Sequence, residues 1–170
     1  NKEVYFWAQI NKGIQRAEKQ FGPYGLNVVR DYFESYNPDE QLAFLERFVD
    51  GKELHGLAFV PLHPSLFNPL IDRLDAAGVP VVTFDNDAPA SRRVCFVGED
   101  SVRGGRLAGR LVSLFLGERG RVAVLRGQPN FLCIQERVLG FTEKMASEYP
   151  GIEIAEFYDM YDKVDDTRYM

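Results

Sequence analysis

The stretch Ala77-Gly78-Val79-Pro80-Val81-Val82-Thr83-Phe84-Asp85 decides the fold class of this 170-residue sequence. Its glycine ends a helical pattern that runs from Ser65 to Ala77, and a nearly all-apolar strand pattern follows from Val79 to Phe84. A strand without polar alternation is typical of a parallel sheet that helices cover on both faces. The stretch therefore predicts an α/β domain in which Asp85 stands at the end of a buried strand.

The same alternation of helix and strand continues on both sides of this stretch. The remaining helical patterns are Val4 to Gln20, a helix opened by Asn37, Pro38 and Asp39 with Leu42, Leu45, Phe48 and Val49 on its buried face, Ser101 to Leu116, and Ile134 to Tyr149. The remaining strand patterns are Leu26 to Phe33, Leu57 to Val60, Val94 to Val97, Val122 to Leu125 and Ile152 to Phe157. Alternating units of this kind fold as doubly wound parallel sheets flanked by helices.

The two ends of the sequence do not match a complete fold of this class. It begins on a helical pattern, whereas a doubly wound domain normally begins with a strand near the sheet centre. It ends at Asp165 to Met170 as if entering another helix. We therefore expect an incomplete fragment of the fold.

Charge and composition exclude several classes of partner. The net charge of -5 and pI of about 5.1 provide no electrostatic footprint for nucleic acid. Arg103, Arg106 and Arg110 share one helix face, which we interpret as a solvated face paired with acids. No apolar run approaches the roughly 20 residues that cross a bilayer, so no membrane insertion is predicted. Cys95 and Cys133 are too few for a disulfide scaffold, and Cys95, within an apolar run, is predicted to be buried.

Sequence motifs for catalysis are missing. HExxH, Walker A and G-x-S-x-G patterns do not occur. Gly104, Gly105 and Gly109 lie within a helical pattern, where their expected role is close helix packing. Only His55 and His63 are available for imidazole chemistry. The sequence thus predicts a protein that is not an enzyme and that needs no metal or cofactor.

Ligands of open parallel sheets bind outside the carboxyl ends of the strands. The aromatic residues that start the first helix would lie at the same edge. The candidate ligand-binding residues selected in this way are Phe6, Trp7, His63, Asp85, Asn86, Asn130 and Phe131.

Four segments, in this order along nearly the whole chain, carry family-like motifs. Tyr5-Phe6-Trp7 with Gly13-Ile14 is similar to "NPFF…GI", and Ala77 to Asp85 is similar to "AGIPVV-x-x-D". Val97 to Ala108 is similar to "VG-x-D-N-x-x-(A/G)-G-x-x-A", and Glu136 to Phe141 is similar to "(E/x)R-x-x-GF". Together they resemble the type I periplasmic-binding-protein-like superfamily, which includes sugar-binding proteins and the effector domains of LacI/GalR-type regulators.

The resemblance implies a two-lobed, hinged fold that closes on a small ligand such as a monosaccharide or polyol. Residues 1–99 would form the N-terminal lobe, without its first strand, and residues 100–170 would begin an incomplete C-terminal lobe. Asp85 and Arg137 match the ligand-binding aspartate and arginine of the two lobes. A carboxylate accepts hydrogen bonds from adjacent hydroxyls, and a guanidinium donates in a fixed fork. The alternative interpretations are that Asp85 is a turn or cap aspartate and that Arg137 is a surface arginine of a helix.

The resemblance also implies that Phe6 and Trp7 stack on the apolar face of a sugar ring, although either ring fits a core role as well. Asn86 stands where such sugar receptors often carry arginine, which leaves a pentose assignment open. Val4 and Tyr5 do not match the asparagine that precedes the family's aromatic pair. Asn130 and Phe131 are expected to line the cleft, and His63 is as readily an incidental loop residue.

Two cellular contexts fit this interpretation. The free cysteines and the long second helix favour a cytoplasmic LacI-type transcriptional regulator, a homodimer that contacts DNA only through a headpiece not present in this chain. The alternative is a periplasmic or extracellular sugar-binding receptor of an ABC importer or a sensor kinase.

Overall fold

The computed structural model describes residues 5–33, 35–50 and 54–161. The chain divides into two compact units, Asn1–Glu34 and Ser35–Met170, and each is described by itself. The predicted helix start at Val4, the predicted helix entry at 165–170 and the side chain of Phe48 lie outside the described part. No helix in the described ranges has the length and apolar character that a membrane span requires.

The described part of the first unit consists of one long helix, a short 3-10 turn and an irregular segment. Helix α1 runs over Tyr5–Phe21, and a 3-10 turn over Gly22–Tyr24 follows it. Gly25 ends this turn with a φ of 97°, a left-handed conformation that glycine adopts without steric cost. The predicted first helix is confirmed, with its end one residue beyond the prediction.

The strand predicted for Leu26 to Phe33 is wrong, because residues 26–33 are irregular and pair with no strand among the described residues. A strand is defined by its backbone ladder, and the residue types of one segment alone cannot supply the partner. Side chains hold the segment to α1 instead. The Tyr32 hydroxyl donates to Asn11 Oδ1 at 3.1 Å, and Arg30 pairs with Glu18 at 3.2 Å.

The second unit contains two parallel sheets. Its first part comprises α2 Pro38–Asp50, β1 Leu57–Phe59, α3 Asn68–Ala76, β2 Val81–Phe84 and β3 Cys95–Val97, with the strands in the order β1-β2-β3. Its second part comprises α4 Ser101–Leu116, β4 Gly120–Arg126, α5 Leu132–Glu148 and β5 Ile152–Asp159, with β4 beside β5. Every described strand pair is parallel, so the predicted α/β class is confirmed.

Local signals set the ends of these elements. The Asn37 side chain accepts the backbone N–H of Asp39 at 3.0 Å and so caps the start of α2. Asp100 caps α4 in the same way through the N–H of Arg103, at 2.9 Å. Gly78, with a φ of 78°, follows α3. Helix α3 begins three residues after the predicted Ser65, because residues 64–67 form turns.

The core of the first part lies between α2, α3 and the sheet. Its buried members are Leu45, Phe59, Phe67, Leu70, Ile71, Leu74, Val81 and Ala88, with Leu42, Val49 and Leu66 packed partly buried against them. The predicted burial of Cys95 is wrong, since this residue is exposed. It lies on β3, the edge strand of the described three-stranded sheet, and an edge strand has only one neighbour to cover it.

Helices α4 and α5 cross with their backbones in direct contact. A Cβ added at Gly105 would overlap the carbonyl oxygen of Arg137, and one added at Gly140 would overlap the carbonyl oxygen of Val102. Each helix therefore presents a glycine to the other helix. Beside this contact, Arg106 pairs with Glu143 at 2.9 Å on the solvated side. The close packing predicted for these glycines is confirmed at Gly105 and at Gly109, where an added Cβ would lie 2.8 Å from Met145 Cε of α5. It is wrong for Gly104, where an added Cβ would meet no atom of α5 within 4 Å.

Gly105→Ala should lower the free energy of unfolding by about 1–3 kcal/mol, because the added methyl group must push the α5 backbone away. Gly104→Ala is the matched control. Its added Cβ would meet nothing nearer than Glu99 Oε1 at 3.9 Å, so it should raise stability by about 0.5–1 kcal/mol through helix propensity. Urea unfolding of both variants measures the difference, and equal effects would contradict the close crossing.

Candidate functional site

Asp85 follows the last residue of β2 in a left-handed backbone conformation, with a φ of 62°. Its N–H donates to the carbonyl oxygen of Val97 at 3.1 Å, which ties the strand end to β3. The side chain is half-buried, and no described residue donates a hydrogen bond to its carboxylate. Burial raises the pKa of Asp85, the charge of Arg137 partly offsets this, and the charge of Glu99 adds to it. This carboxylate is therefore left with unused acceptor capacity.

Arg137, on α5, brings a guanidinium into the electrostatic range of Asp85. Its Nε donates to Glu99 Oε1 at 2.5 Å, and its Nη2 contacts the same oxygen. The Arg137 and Glu99 side chains remain 41% and 54% exposed, so solvent reaches this ion pair. The two sequence-predicted anchor residues thus lie within electrostatic range of each other, Asp85 in the loop after β2 and Arg137 on α5, and Glu99 acts on both.

Asn86 differs from its neighbour because its side chain is completely buried. Its Nδ2 donates to the carbonyl oxygen of Pro61 at 2.5 Å, and its Oδ1 accepts the N–H of Cys133 at 3.1 Å. Cys133 belongs to the first turn of α5, whose own cap residue Phe131 offers no side-chain hydrogen bond. Asn86 therefore caps α5 from another element. Its predicted contact with a ligand stays a prediction, and its observed contacts are structural.

Asp87 fixes the loop that carries Asp85. Its carboxylate accepts Arg93 Nε at 2.5 Å and Nη2 at 2.6 Å, together with the Thr83 hydroxyl at 2.7 Å and the Ala88 N–H at 2.8 Å. Burial raises the pKa of Asp87, but these hydrogen bonds and the charge of Arg93 outweigh burial and hold the pKa below its ordinary value. The charge of the Asp87 carboxylate is thus balanced by Arg93, and its hydrogen-bond acceptors are occupied by groups of the protein itself.

The other predicted site residues occupy varied positions. Phe6 and Trp7 form an exposed edge-to-face pair on α1, with ring centroids 5.1 Å apart. His63 Nδ1 accepts the N–H groups of Ser65 and Leu66, both at 3.3 Å, and so closes the turn before α3. These local bonds support the incidental interpretation of His63. Its ligand role and that of the aromatic pair stay predictions.

Asn130 and Phe131 come directly before α5. Asn130 is exposed, and Phe131 is half-buried with its ring 6.2 Å from that of Tyr36. The structure places both at the start of α5, the helix end that Asn86 caps through the N–H of Cys133. Their contact with a ligand also stays a prediction.

Sequence reasoning missed Glu99, Asp87 and Arg93 as contributors to this region. Glu99 was visible as the variable position of the "VG-x-D" motif, but nothing local indicates a partner 38 residues away. The six-residue spacing between Asp87 and Arg93 fits no helix or strand period that would have paired them.

One concave surface of the second unit is poorly suited to a sugar. An apolar depression of about 430 Å³ lies beside α5 and β5, and its polar lining is too sparse for a ligand rich in hydroxyls. It is lined by Thr142, Met145, Ala146, Pro150, Ile152 and Ile154. The described ranges contain no group of three or more His, Cys, Asp or Glu residues that would hold a metal ion.

Comparison of the sequence with models of known families identifies the family of this chain. The sequence model described as "Periplasmic binding protein domain" matches residues 1–169. The chain belongs to this periplasmic binding protein domain family. The superfamily resemblance found in the motifs is therefore confirmed.

Three proteins that this chain resembles are named as sugar-binding proteins. The chain is 29% identical, over 136 residues, to the ribose import binding protein RbsB of Bacillus subtilis, covering 80% of this chain and 43% of that protein. It resembles a sugar ABC transporter sugar-binding protein from Bacillus halodurans, with 29% identity, a TM-score of 0.78 and coverage of 92% and 52%. It also resembles GanP, a glucose-galactose binding protein from Geobacillus stearothermophilus, with 30% identity, a TM-score of 0.81 and coverage of 95% and 56%.

The chain spans about half the length of these relatives. Their names describe binding proteins of transport systems, not enzymes and not transcriptional regulators. The comparisons therefore favour the receptor, which the sequence left as the alternative, over the LacI-type regulator that it favoured.

Asn86→Ala should lower the free energy of unfolding by about 2–4 kcal/mol, because it leaves the Pro61 carbonyl and the Cys133 N–H buried without partners. Asn130→Ala, at an exposed asparagine just before α5, is the control and should change stability by less than about 0.5 kcal/mol. Urea unfolding distinguishes the two, and a neutral Asn86→Ala would show that the amide does not connect these elements.

Asp87→Asn and Asp85→Asn should have opposite effects on stability. Asp87 has a lowered pKa, so its stabilisation is present above the unfolded-state pKa of about 4 and is lost as the pH falls through the folded pKa. Asp87→Asn should therefore cost about 1–3 kcal/mol at pH 7, with the difference from wild type shrinking below about pH 4.

Asp85 has a raised pKa, so its ionised form weakens the fold at pH values above the folded pKa. Asp85→Asn should leave stability at pH 7 unchanged or higher, and asparagine also tolerates the left-handed backbone. Thermal unfolding at pH 7 and pH 3 tests both signs. A destabilised Asp85→Asn at pH 7 would show that its carboxylate is satisfied within the protein.

Proposed function

We propose that this chain is the sugar-binding part of an exported receptor that serves an ABC-type importer or a sensor kinase. The observation that carries the proposal is that Asp85, directly after β2, and Arg137, on α5, are both partly exposed and lie within electrostatic range of each other. The names of the relatives support a sugar as the ligand class. A receptor of this kind acts in the periplasm or outside the cell, and its partners are the sugar and the transport or signalling protein that it delivers the sugar to.

The chemistry of the pair suits neighbouring hydroxyl groups. The Asp85 carboxylate has two oxygens that accept hydrogen bonds in one plane, and the Arg137 guanidinium keeps donors that Glu99 does not use. A sugar that presents adjacent hydroxyls satisfies both at once. From the family resemblance alone, we also propose that Phe6 and Trp7 stack on the apolar face of the sugar. Because Asn130 and Phe131 lie between β4 and the helix that carries Arg137, we propose that they contact the sugar as well.

The arrangement of sheets supports the proposed lobe boundary. The β1-β2-β3 sheet ends at Val97, and the β4-β5 sheet begins at Gly120 after α4. A boundary near Asp100 assigns Asp85 to the lobe of residues 1–99 and Arg137 to the lobe of residues 100–170. A ligand held by both residues binds the closed arrangement more tightly than an open one, so it shifts the population toward closure.

Thermal unfolding of the full-length protein against monosaccharides, disaccharides and polyols should reveal at least one sugar that raises the midpoint. At a ligand concentration one hundred times the Kd, the stabilisation should be about 2.7 kcal/mol. Asp85→Ala and Arg137→Ala should each abolish the shift, because each removes one side of the hydroxyl-binding pair.

Two variants control for general effects of removing a charge. Arg106→Ala removes an arginine of α4 that pairs with a glutamate as Arg137 does, and Asp75→Ala removes an exposed aspartate near the end of α3 that pairs with Arg92. Both should keep the full ligand shift. If a sugar stabilises the Asp85 and Arg137 variants as well as wild type, this site is not where it binds, and if no sugar shifts the midpoint, the proposed function fails.

A further inference from the structure

Glu99 occupies one edge of the Arg137 guanidinium. A guanidinium carries five N–H donors, and one Glu99 oxygen receives donors from both Nε and Nη2. Nη1 donates to no described residue. Arg137 therefore approaches a ligand with one edge already filled and the other edge available.

The filled edge matters because arginine binds ligand carboxylates and phosphates most strongly through two parallel hydrogen bonds on one edge of its fork. Glu99 already takes the place of such an anion. A hydroxyl or ring oxygen of an uncharged sugar needs only single donors, and Nη1 supplies these. Glu99 thus removes one of the two edges on which an anion binds in this way, and it leaves an uncharged ligand the single donors that it needs. This difference favours an uncharged ligand over an acidic one.

The local charge leads to the same conclusion. Asp85 and Glu99 both act on the electrostatics around Arg137, so one cation faces two carboxylates. Arg93 adds no free positive charge, because Asp87 binds it through two hydrogen bonds. Even when Asp85 is protonated, the negative charge of Glu99 neutralises the positive charge of Arg137. An anionic ligand at this place finds no net positive charge and meets at least one like charge, which opposes binding.

We propose that Glu99 is a specificity-determining residue that restricts this site to uncharged sugars and rejects sugar acids and sugar phosphates. The inference rests on the proposed sugar-binding function and adds the charge class of the ligand. Glu99 acts by filling the Nε edge of Arg137 and by repelling anions, and it leaves the opposite edge of the guanidinium for hydroxyl groups.

Glu143 provides a matched control on the same pair of helices. Its carboxylate pairs with Arg106 Nη2 at 2.9 Å, and both side chains are about as exposed as the Glu99–Arg137 pair. Removing this charge changes the net charge of the protein by the same amount as removing that of Glu99. Any effect specific to Glu99 therefore reports on the site and not on the overall charge.

The test is isothermal titration calorimetry on the full-length protein with matched pairs of uncharged and anionic sugars. The pairs are galactose with galacturonate, glucose with glucuronate, and ribose with ribose 5-phosphate. Wild type should bind the uncharged member of at least one pair and prefer it by about a hundredfold or more. Glu99→Gln, which keeps the shape and removes the charge, should reduce this preference by at least about tenfold, mainly by strengthening the anionic ligand. Glu143→Gln should leave the preference unchanged.

The possible outcomes separate this inference from the proposed function. If an uncharged sugar binds but Glu99→Gln leaves the preference within twofold of wild type, sugar binding stands and the role of Glu99 is refuted. The role is also refuted if wild type binds an anionic sugar as tightly as its uncharged counterpart. If neither kind of sugar binds, the proposed function fails and takes this inference with it. Circular dichroism of Glu99→Gln confirms that the fold is retained.

Discussion

The close crossing of α4 and α5 is the constraint on which the position of Arg137 depends. Gly105 packs against the carbonyl group of Arg137 itself, and Gly140 packs against that of Val102. Because each helix contributes one glycine, neither can slide or rotate without a backbone collision. Glu99 stands immediately before Asp100, the cap residue of α4, so both ends of the Glu99–Arg137 ion pair are anchored to the crossing. A surface ion pair is ordinarily weak and variable in geometry, and here the backbone contact gives it a defined place.

The buried amide of Asn86 extends this constraint from the helices to the first sheet. It accepts the Cys133 N–H at the start of α5 and donates to Pro61 after β1, so the loop after β2 is attached on two sides. Helix α5 has no side-chain cap of its own, and the distant asparagine satisfies one of the N–H groups that every helix start leaves unpaired. Since Asp85 is the preceding residue, its position relative to Arg137 follows from a hydrogen bond that contacts neither side chain.

The sequence contained enough information for the order of helices and strands in the second unit and for the choice of Asp85 and Arg137, whose ligand role is still a prediction. It did not contain enough for features that depend on a distant partner. Residues 26–33 are rich in the residue types that favour strands, but a strand also requires a neighbour. The apolar surroundings of Cys95 suggested burial, which depends on what lies beside β3. Asn86 and Glu99 find their partners 47 and 38 residues away, beyond any local pattern.

The two aspartates of the loop after β2 show how one segment serves two purposes. Asp87 receives donors from Arg93, Thr83 and the backbone, and these lower its pKa and hold the loop together. Asp85, two residues earlier, is half-buried and receives no hydrogen bond from the described residues, so burial raises its pKa. Rigid support beside an unsatisfied acceptor is the arrangement that favours a ligand rich in hydroxyl donors, because the ligand supplies the hydrogen bonds that the protein withholds. With Glu99 balancing Arg137, those donors are best supplied without a negative charge.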